Sequence, residues 1–171
     1  MRFSRAFCSG ILLVGLLGCG VTAPAPVGES VRVTFLDVGQ GDAVLIQSPE
    51  GQDALVDAGW SSPVMSLRAL DVDELELLVA THPHADHIGG IADVINAIPV
   101  RFYMDNGQTH TTATYQNLAS TLQQQTDITY LIAEPRSISL GSVGIEVLTL
   151  LPVASTEFNN RSIGIVVRYG G

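Results

Sequence analysis

The stretch Leu75 to Thr81, LELLVAT, is a nearly continuous apolar run that stops abruptly at HPHADH. A short hydrophobic run without polar alternation suits a strand covered on both faces. The flanking sequence fits the same kind of fold. Val31 to Asp37 and Ala43 to Gln47 are short, β-branched and apolar, and the Gly-Gln-Gly-Asp turn between them marks a strand pair. Ala54 to Asp57 supplies a third strand. Val64 to Leu70 reads as a short helix capped by Ser61 or Ser62, with Pro63 in its first turn. Ile88 to Ile98 has helical spacing, Val100 to Tyr103 is strand-like, and Thr112 to Gln125 is a helix with a Gln/Thr-rich polar face. Ile128 to Ile132, Val143 to Leu150 and Ile163 to Arg168 complete the strands. Strands interleaved with helices indicate an α/β protein, and the adjacent early strands favour a mixed or antiparallel sheet over a strictly doubly wound one.

The chain of 171 residues is long enough for one domain with a substantial core, and 46% hydrophobic against 15% charged residues argues for packing rather than disorder. Eight basic residues, all arginine, face 17 acidic ones. Such an acidic surface resists non-specific contact with phosphate backbones, so an anionic substrate needs another anchor, which a metal provides.

The first residues form a targeting segment. Arg2 and Arg5 precede a short apolar run that ends in Leu16-Leu17-Gly18-Cys19. The run is short for a membrane span but suits the core of a signal peptide. Its end resembles the bacterial lipobox, which implies a signal peptide over residues 1–18, a lipidated Cys19, and an extracytoplasmic protein held to a membrane by that lipid. An uncleaved anchor helix is the alternative. Residues 19–30 then form a Pro/Gly/Ala-rich tether, leaving residues 31–171 as the domain. Cys8 and Cys19 are the only cysteines, so a domain without them has no thiolate for a disulfide or a metal.

His82, His84, Asp86 and His87 make the pattern H-x-H-x-D-H, which gathers three of the chain's four histidines. If His82 and His84 leave a strand end in extended backbone, both side chains point the same way and share one ion. Asp86 and His87 follow one tight turn later and face a second. Imidazole and carboxylate donors without thiolate suit zinc first, then manganese or iron. Two such ions lower the pKa of a shared water and clamp a phosphoryl or carbonyl oxygen. His110, isolated in a Gln/Thr-rich stretch, reads as a surface histidine.

THPHADH at the end of an apolar strand resembles the second signature motif of the metallo-β-lactamase fold superfamily, and Asp57 in LVDAG resembles its first. FLDVGQGDAVLI, LVDAG, LLVATHPHADHIGG, DNGQTHTTATYQNL and NNRSIGIVVRYGG together resemble the hydrolase domain of ComEC-like competence DNA-uptake proteins. The resemblance implies an αββα sandwich and two divalent metal ions. His82 and His84 would hold one ion, and Asp86 and His87 the other. Asp86 would also orient the attacking water, and Asp57 would orient the histidine loop. Asp37, Gln40 and Asp42 match the family's signature loop, where turn chemistry and a place at the edge of the active site are both open readings. Asn159, Asn160 and Ser162 match an Asn-rich segment near the metals. The activity implied is metal-dependent hydrolysis, with a phosphodiester or nucleic acid as substrate and no protein partner. A non-catalytic surface lipoprotein or inactive fragment using the fold for binding is the alternative.

The family pattern continues, after RYGG, with a strand ending in Gly-Asp whose carboxylate bridges the metals, and with a later histidine. Neither occurs before Gly171. The resemblance therefore implies about the first half of the sandwich plus one strand, a C-terminally truncated sequence, and weak activity for the chain as it stands.

Overall fold

The computed structural model describes residues 30–149 and 157–170. The expected signal peptide, Cys19 and nearly all of the tether lie outside the described residues, as does Leu150 at the end of one expected strand. No helix among the described residues is long and apolar enough to cross a membrane.

Six strands form the larger sheet: β1 (Arg32–Phe35), β2 (Val44–Gln47), β3 (Asp53–Val56), β4 (Leu75–Val79), β5 (Val100–Asp105) and β6 (Thr129–Ile132), in that spatial order. The first three pair antiparallel and β3 through β6 pair parallel, so the sheet is mixed, as the closely spaced early strands suggest. The parallel half requires crossovers, and helices supply them. These are α1 (Val64–Ala69), α2 (Ala85–Ile88) with α3 (Ile91–Ala97), and α4 (Ala113–Gln124). A second sheet is an antiparallel meander of β7 (Arg136–Leu140), β8 (Val143–Thr149) and β9 (Ile163–Arg168).

Two cores sit on the two faces of the larger sheet, which explains why its strands lack polar alternation. Leu45, Leu55, Leu78 and Tyr103 face the helices and pack with Leu67, Ile88, Ile91, Val94 and Leu118. Their neighbours one residue along, Ile46, Ala54, Val79 and Met104, point the other way and pack against Leu140, Val143, Ile145, Val147 and Ile163 of the second sheet. The period-two side-chain alternation of a strand therefore feeds both cores from one run. The described residues build three layers, helices on sheet on sheet, of the αββα sandwich.

The helix expected over Ile88–Ile98 is broken into α2 and α3 at Gly89-Gly90. There a Cβ on Gly90 would meet the carbonyl oxygen of Ala58 at 2.5 Å. The expected serine cap of α1 is also corrected: Pro63 itself occupies the capping position, with no side-chain cap, and Ser61 and Ser62 are exposed. Strand β7, in the Ser-rich segment RSISL, shows no strong apolar run and was not expected from the sequence. Its partner β8 and the core beneath it make it a strand, a case of tertiary context overriding local preference.

Candidate metal centre

Parallel strands in an α/β sheet offer ligand sites just beyond their carboxyl ends. Asp57 follows β3, the histidine loop follows β4, and Asp105 closes β5. Backbone bonds fasten the loops to one another. The Ala58 amide donates to the His87 carbonyl at 2.8 Å, Gly59 to Asp42 at 2.9 Å, and Trp60 to Gln40 at 3.0 Å. Close approach depends on glycine. Gly41 has φ +94°, and a Cβ there would lie 1.6 Å from the carbonyl oxygen of Asp86. The same holds for Gly59, at φ +63°, where a Cβ would meet Val38.

Asp57 is the buried hub. It is 2% exposed and sits at φ +59°, a left-handed conformation that Asp and Asn tolerate better than other side chains with a Cβ. Its Oδ1 accepts from the Thr81 amide at 2.7 Å, and its Oδ2 accepts from the Thr81 hydroxyl at 2.7 Å. The same Oδ2 lies 2.8 Å from His87 Nδ1.

These bonds fix two histidine tautomers. His87 Nδ1 carries the proton it gives to Asp57, which leaves Nε2 with its lone pair. Thr81 has already given its hydroxyl proton to Asp57, so toward His82 Nδ1, 3.1 Å away, it can only accept. Ser162 repeats the logic: its hydroxyl donates to the Asn159 carbonyl at 2.9 Å and lies 3.2 Å from the same His82 nitrogen. His82 is thus protonated at Nδ1, and its Nε2 lone pair faces His84 Nδ1 at 3.2 Å.

The three rings are close. The His82 centroid is 4.8 Å from that of His84 and 4.0 Å from that of His87. His84 has extended backbone and caps α2 through its carbonyl, with Asp86 in the helix's first turn. Burial, reinforced by the charges of His87 and His84, lowers the His82 pKa to about 4, so the ring is neutral at pH 7. The hydrogen bond to Asp57 raises that of His87. Burial raises that of Asp57 itself, against its three donors.

This donor set fits a divalent metal. His82 Nε2 and His84 Nδ1 lie within hydrogen-bonding distance, the His82 and His87 tautomers are fixed from behind, and the first turn of α2 carries the Asp86 carboxylate. Asp42, Asp57 and His87 also bring one ligand atom each within 4.8 Å of one another. The oxygens of Asp57 are committed to three donors and His87 Nδ1 is among them, so a cation seated there would have to displace those bonds. The free nitrogens of the histidine rings are the better donors.

The remaining expected residues sort by environment. Asp42 is exposed, with its carboxylate 3.9 Å from His87 Nδ1, at the edge of the site. Asp37 is exposed and accepts from the Gly39 amide at 3.1 Å, which is turn chemistry, while Gln40 takes part through its backbone. Asn160 lies on an exposed 3-10 turn, Phe158–Arg161, that docks on the histidine loop through the Ile163 amide and the Thr81 carbonyl at 3.1 Å. His110 is not an isolated surface side chain: it is half-buried, its ring centroid 4.8 Å from that of Phe158 and 6.1 Å from that of His84. Its Nδ1 accepts from the Thr112 amide at 3.1 Å. Sequence reasoning passed over Thr81 and Phe158. The position of Thr81 immediately before the first histidine was the one available signal for it.

The sequence pattern of the Metallo-beta-lactamase superfamily matches residues 36–143. The chain belongs to this superfamily. Two solved members show the shared fold. A metallo-beta-lactamase of Cronobacter sakazakii, an HARLDQ motif mutant, aligns at TM-score 0.57 and 17% identity, covering 80% of this chain and 55% of that one. A superfamily protein of Sulfolobus tokodaii aligns at TM-score 0.54 and 14% identity, covering 81% and 60%. A hydroxyacylglutathione hydrolase of Vibrio campbellii is 40% identical over 55 residues, which is 32% of this chain and 22% of that enzyme. The chain thus spans little more than half of the solved superfamily members and matches about a fifth of the curated relative.

Proposed function

We propose that this superfamily domain is a metal-dependent hydrolase of phosphodiesters. The carrying observation is the convergence of His82, His84 and His87, with two tautomers set through Asp57. His82, His84, Asp86 and His87 would hold the metal, zinc first and manganese or iron next, and a full site would take two ions. Bound metal supplies an activated water and polarises the oxygen of the bond to be cleaved. The chain's own contribution is to present unprotonated ring nitrogens, to keep them in place through Asp57 and Thr81, and to offer Asp86 as the group that orients water. The phosphodiester, nucleic acid included, follows from the resemblance of the DVGQGD loop to ComEC-like domains.

The local similarity to a hydroxyacylglutathione hydrolase supports a second reading, a thioester substrate. Both are tested together. The protein is loaded with zinc or manganese and assayed with bis(p-nitrophenyl) phosphate and with a hydroxyacylglutathione. Turnover of the first alone supports the proposal, and turnover of the second alone replaces it. Metal binding with neither activity favours the alternative, a fold used for binding. We also infer that Cys19 carries lipid and holds the domain to a membrane outside the cytoplasm. Radiolabelled palmitate incorporated by the wild type and not by Cys19→Ser tests that inference.

A further inference from the structure

A cavity of about 370 Å³ lies between α4 and the β5–β6 edge of the larger sheet, apart from the histidine loop. That volume falls within the range of small-molecule sites. Its floor follows from strand register: Tyr103 on β5 pairs with Tyr130 on β6, and their rings stack with centroids 5.9 Å apart and 23° between planes. Tyr103 is buried and Tyr130 is half exposed. The α4 wall opposite contributes Tyr115, Leu118 and Leu122. Asp105 closes the end, its Oδ1 accepting from the Tyr130 hydroxyl at 2.7 Å and the Gly107 amide at 2.8 Å.

Charge decides what such a cavity accepts. Among the described residues Asp105 is the one charged group lining it, and no Arg joins it. The Tyr130 hydroxyl is already given to Asp105, so it is not left to greet an anion. Aromatic faces are negative, and phenols that donate to a carboxylate become more electron-rich. A neutral ligand would leave a part-buried carboxylate uncompensated, whereas a cation with an apolar coat satisfies rings and carboxylate together. The acidic chain, at net charge −9, raises the local concentration of cations further.

We propose that the cavity bounded by Tyr103, Tyr115, Tyr130 and Asp105 binds a small organic ammonium ion. Burial raises the pKa of Asp105, which agrees with a carboxylate lacking a cationic partner. The proposal is independent of the metal centre, so it is tested in EDTA.

The probe is choline, titrated by calorimetry at constant ionic strength against dimethylbutanol, which has the same shape with carbon in place of nitrogen. Saturable choline binding at least about tenfold tighter than the alcohol is expected. Tyr130→Ala and Asp105→Asn should each weaken choline by about tenfold, and Tyr130→Phe, which keeps the ring, by less. Equal binding of choline and the alcohol would show a merely apolar cavity and overturn the proposal. So would no saturable choline binding, or unchanged binding in Tyr130→Ala. Tyr130 is half exposed, so its variants keep the test valid even where Asp105→Asn fails to fold, as judged by circular dichroism.

Discussion

Asp57 Oδ2 sits 2.8 Å from His87 Nδ1 and, through the Thr81 hydroxyl, two hydrogen bonds from His82 Nδ1. One buried carboxylate therefore determines which nitrogen of two different histidines stays unprotonated. Sequence separates Asp57 from the loop it governs by a helix and a strand, and the parallel pairing of β3 with β4 brings them together.

Replacing that carboxylate is the first test. Asp57→Asn keeps a side chain that tolerates φ +59°, but presents an amide where three donors converge. Zinc affinity of the purified domain, measured by competition with a chromophoric chelator, should fall by about 10–100-fold, as for other groups that hold a metal-binding histidine from behind. An affinity within twofold of wild type would remove Asp57 from the metal argument. His84→Ala tests a donor directly and should abolish tight binding, with unchanged metal content as the contrary result.

Gly41→Ala separates the backbone role of the DVGQGD loop from its side chains. The new Cβ would need to occupy space held by the Asp86 carbonyl, at a φ that L-residues rarely adopt. Urea unfolding should show a loss of about 2–4 kcal/mol, in the range of overpacking plus a left-handed backbone penalty. Gly39→Ala is the control: it shares the positive φ at +75° but meets nothing within 4 Å, so it should cost less.

This contrast shows why the site was only partly legible in the sequence. The strand ending in THPHADH was plain, because a two-sided apolar run and clustered histidines are local signals. The glycines of DVGQGD were readable as turn residues, yet their need for close approach to Asp86 is set by tertiary contact. His110 looked isolated because its neighbours Phe158 and His84 are distant in the chain. Strand β7 was missed for a related reason: Ser137 and Ser139 dilute its apolar residues, and only pairing with β8 defines it.

Asp53 gives the pH dependence. It is 6% exposed, its Oδ1 has no hydrogen-bond partner among the described residues, and burial raises its pKa to about 6. The folded state therefore holds a proton that the unfolded chain, with an ordinary aspartate, releases nearer pH 4. By linkage, the contribution of Asp53 to stability declines as pH rises from about 4 through about 6 and is flat above. Asp53→Asn cannot ionise. It should be about 1–2 kcal/mol more stable than wild type at pH 7.5, after allowing for residual solvent contact, and should lose that advantage at pH 4. Chemical unfolding at the two pH values checks the sign; a constant difference between the proteins would refute it.

Thr81 and Ser162 both accept from His82 Nδ1, at 3.1 and 3.2 Å, and each has spent its own proton elsewhere. They are parallel supports for one tautomer, so removing either leaves the other in place. Ser162→Ala alone should change zinc affinity by less than about threefold. Thr81→Val should cost about tenfold, since it also takes a donor from Asp57. The double variant should lose more than the product of the two single effects, because both hydroxyl supports of His82 Nδ1 are then gone and the ring relies on its hydrogen bond with the Asn159 side chain. Proton NMR of the histidine rings supplies a readout that a merely structural role would not give. The Nδ1 proton of His82 should be protected from exchange in wild type and in Ser162→Ala, and less protected in the double variant. Multiplicative affinities with an unchanged ring proton would show that Ser162 touches His82 without supporting it.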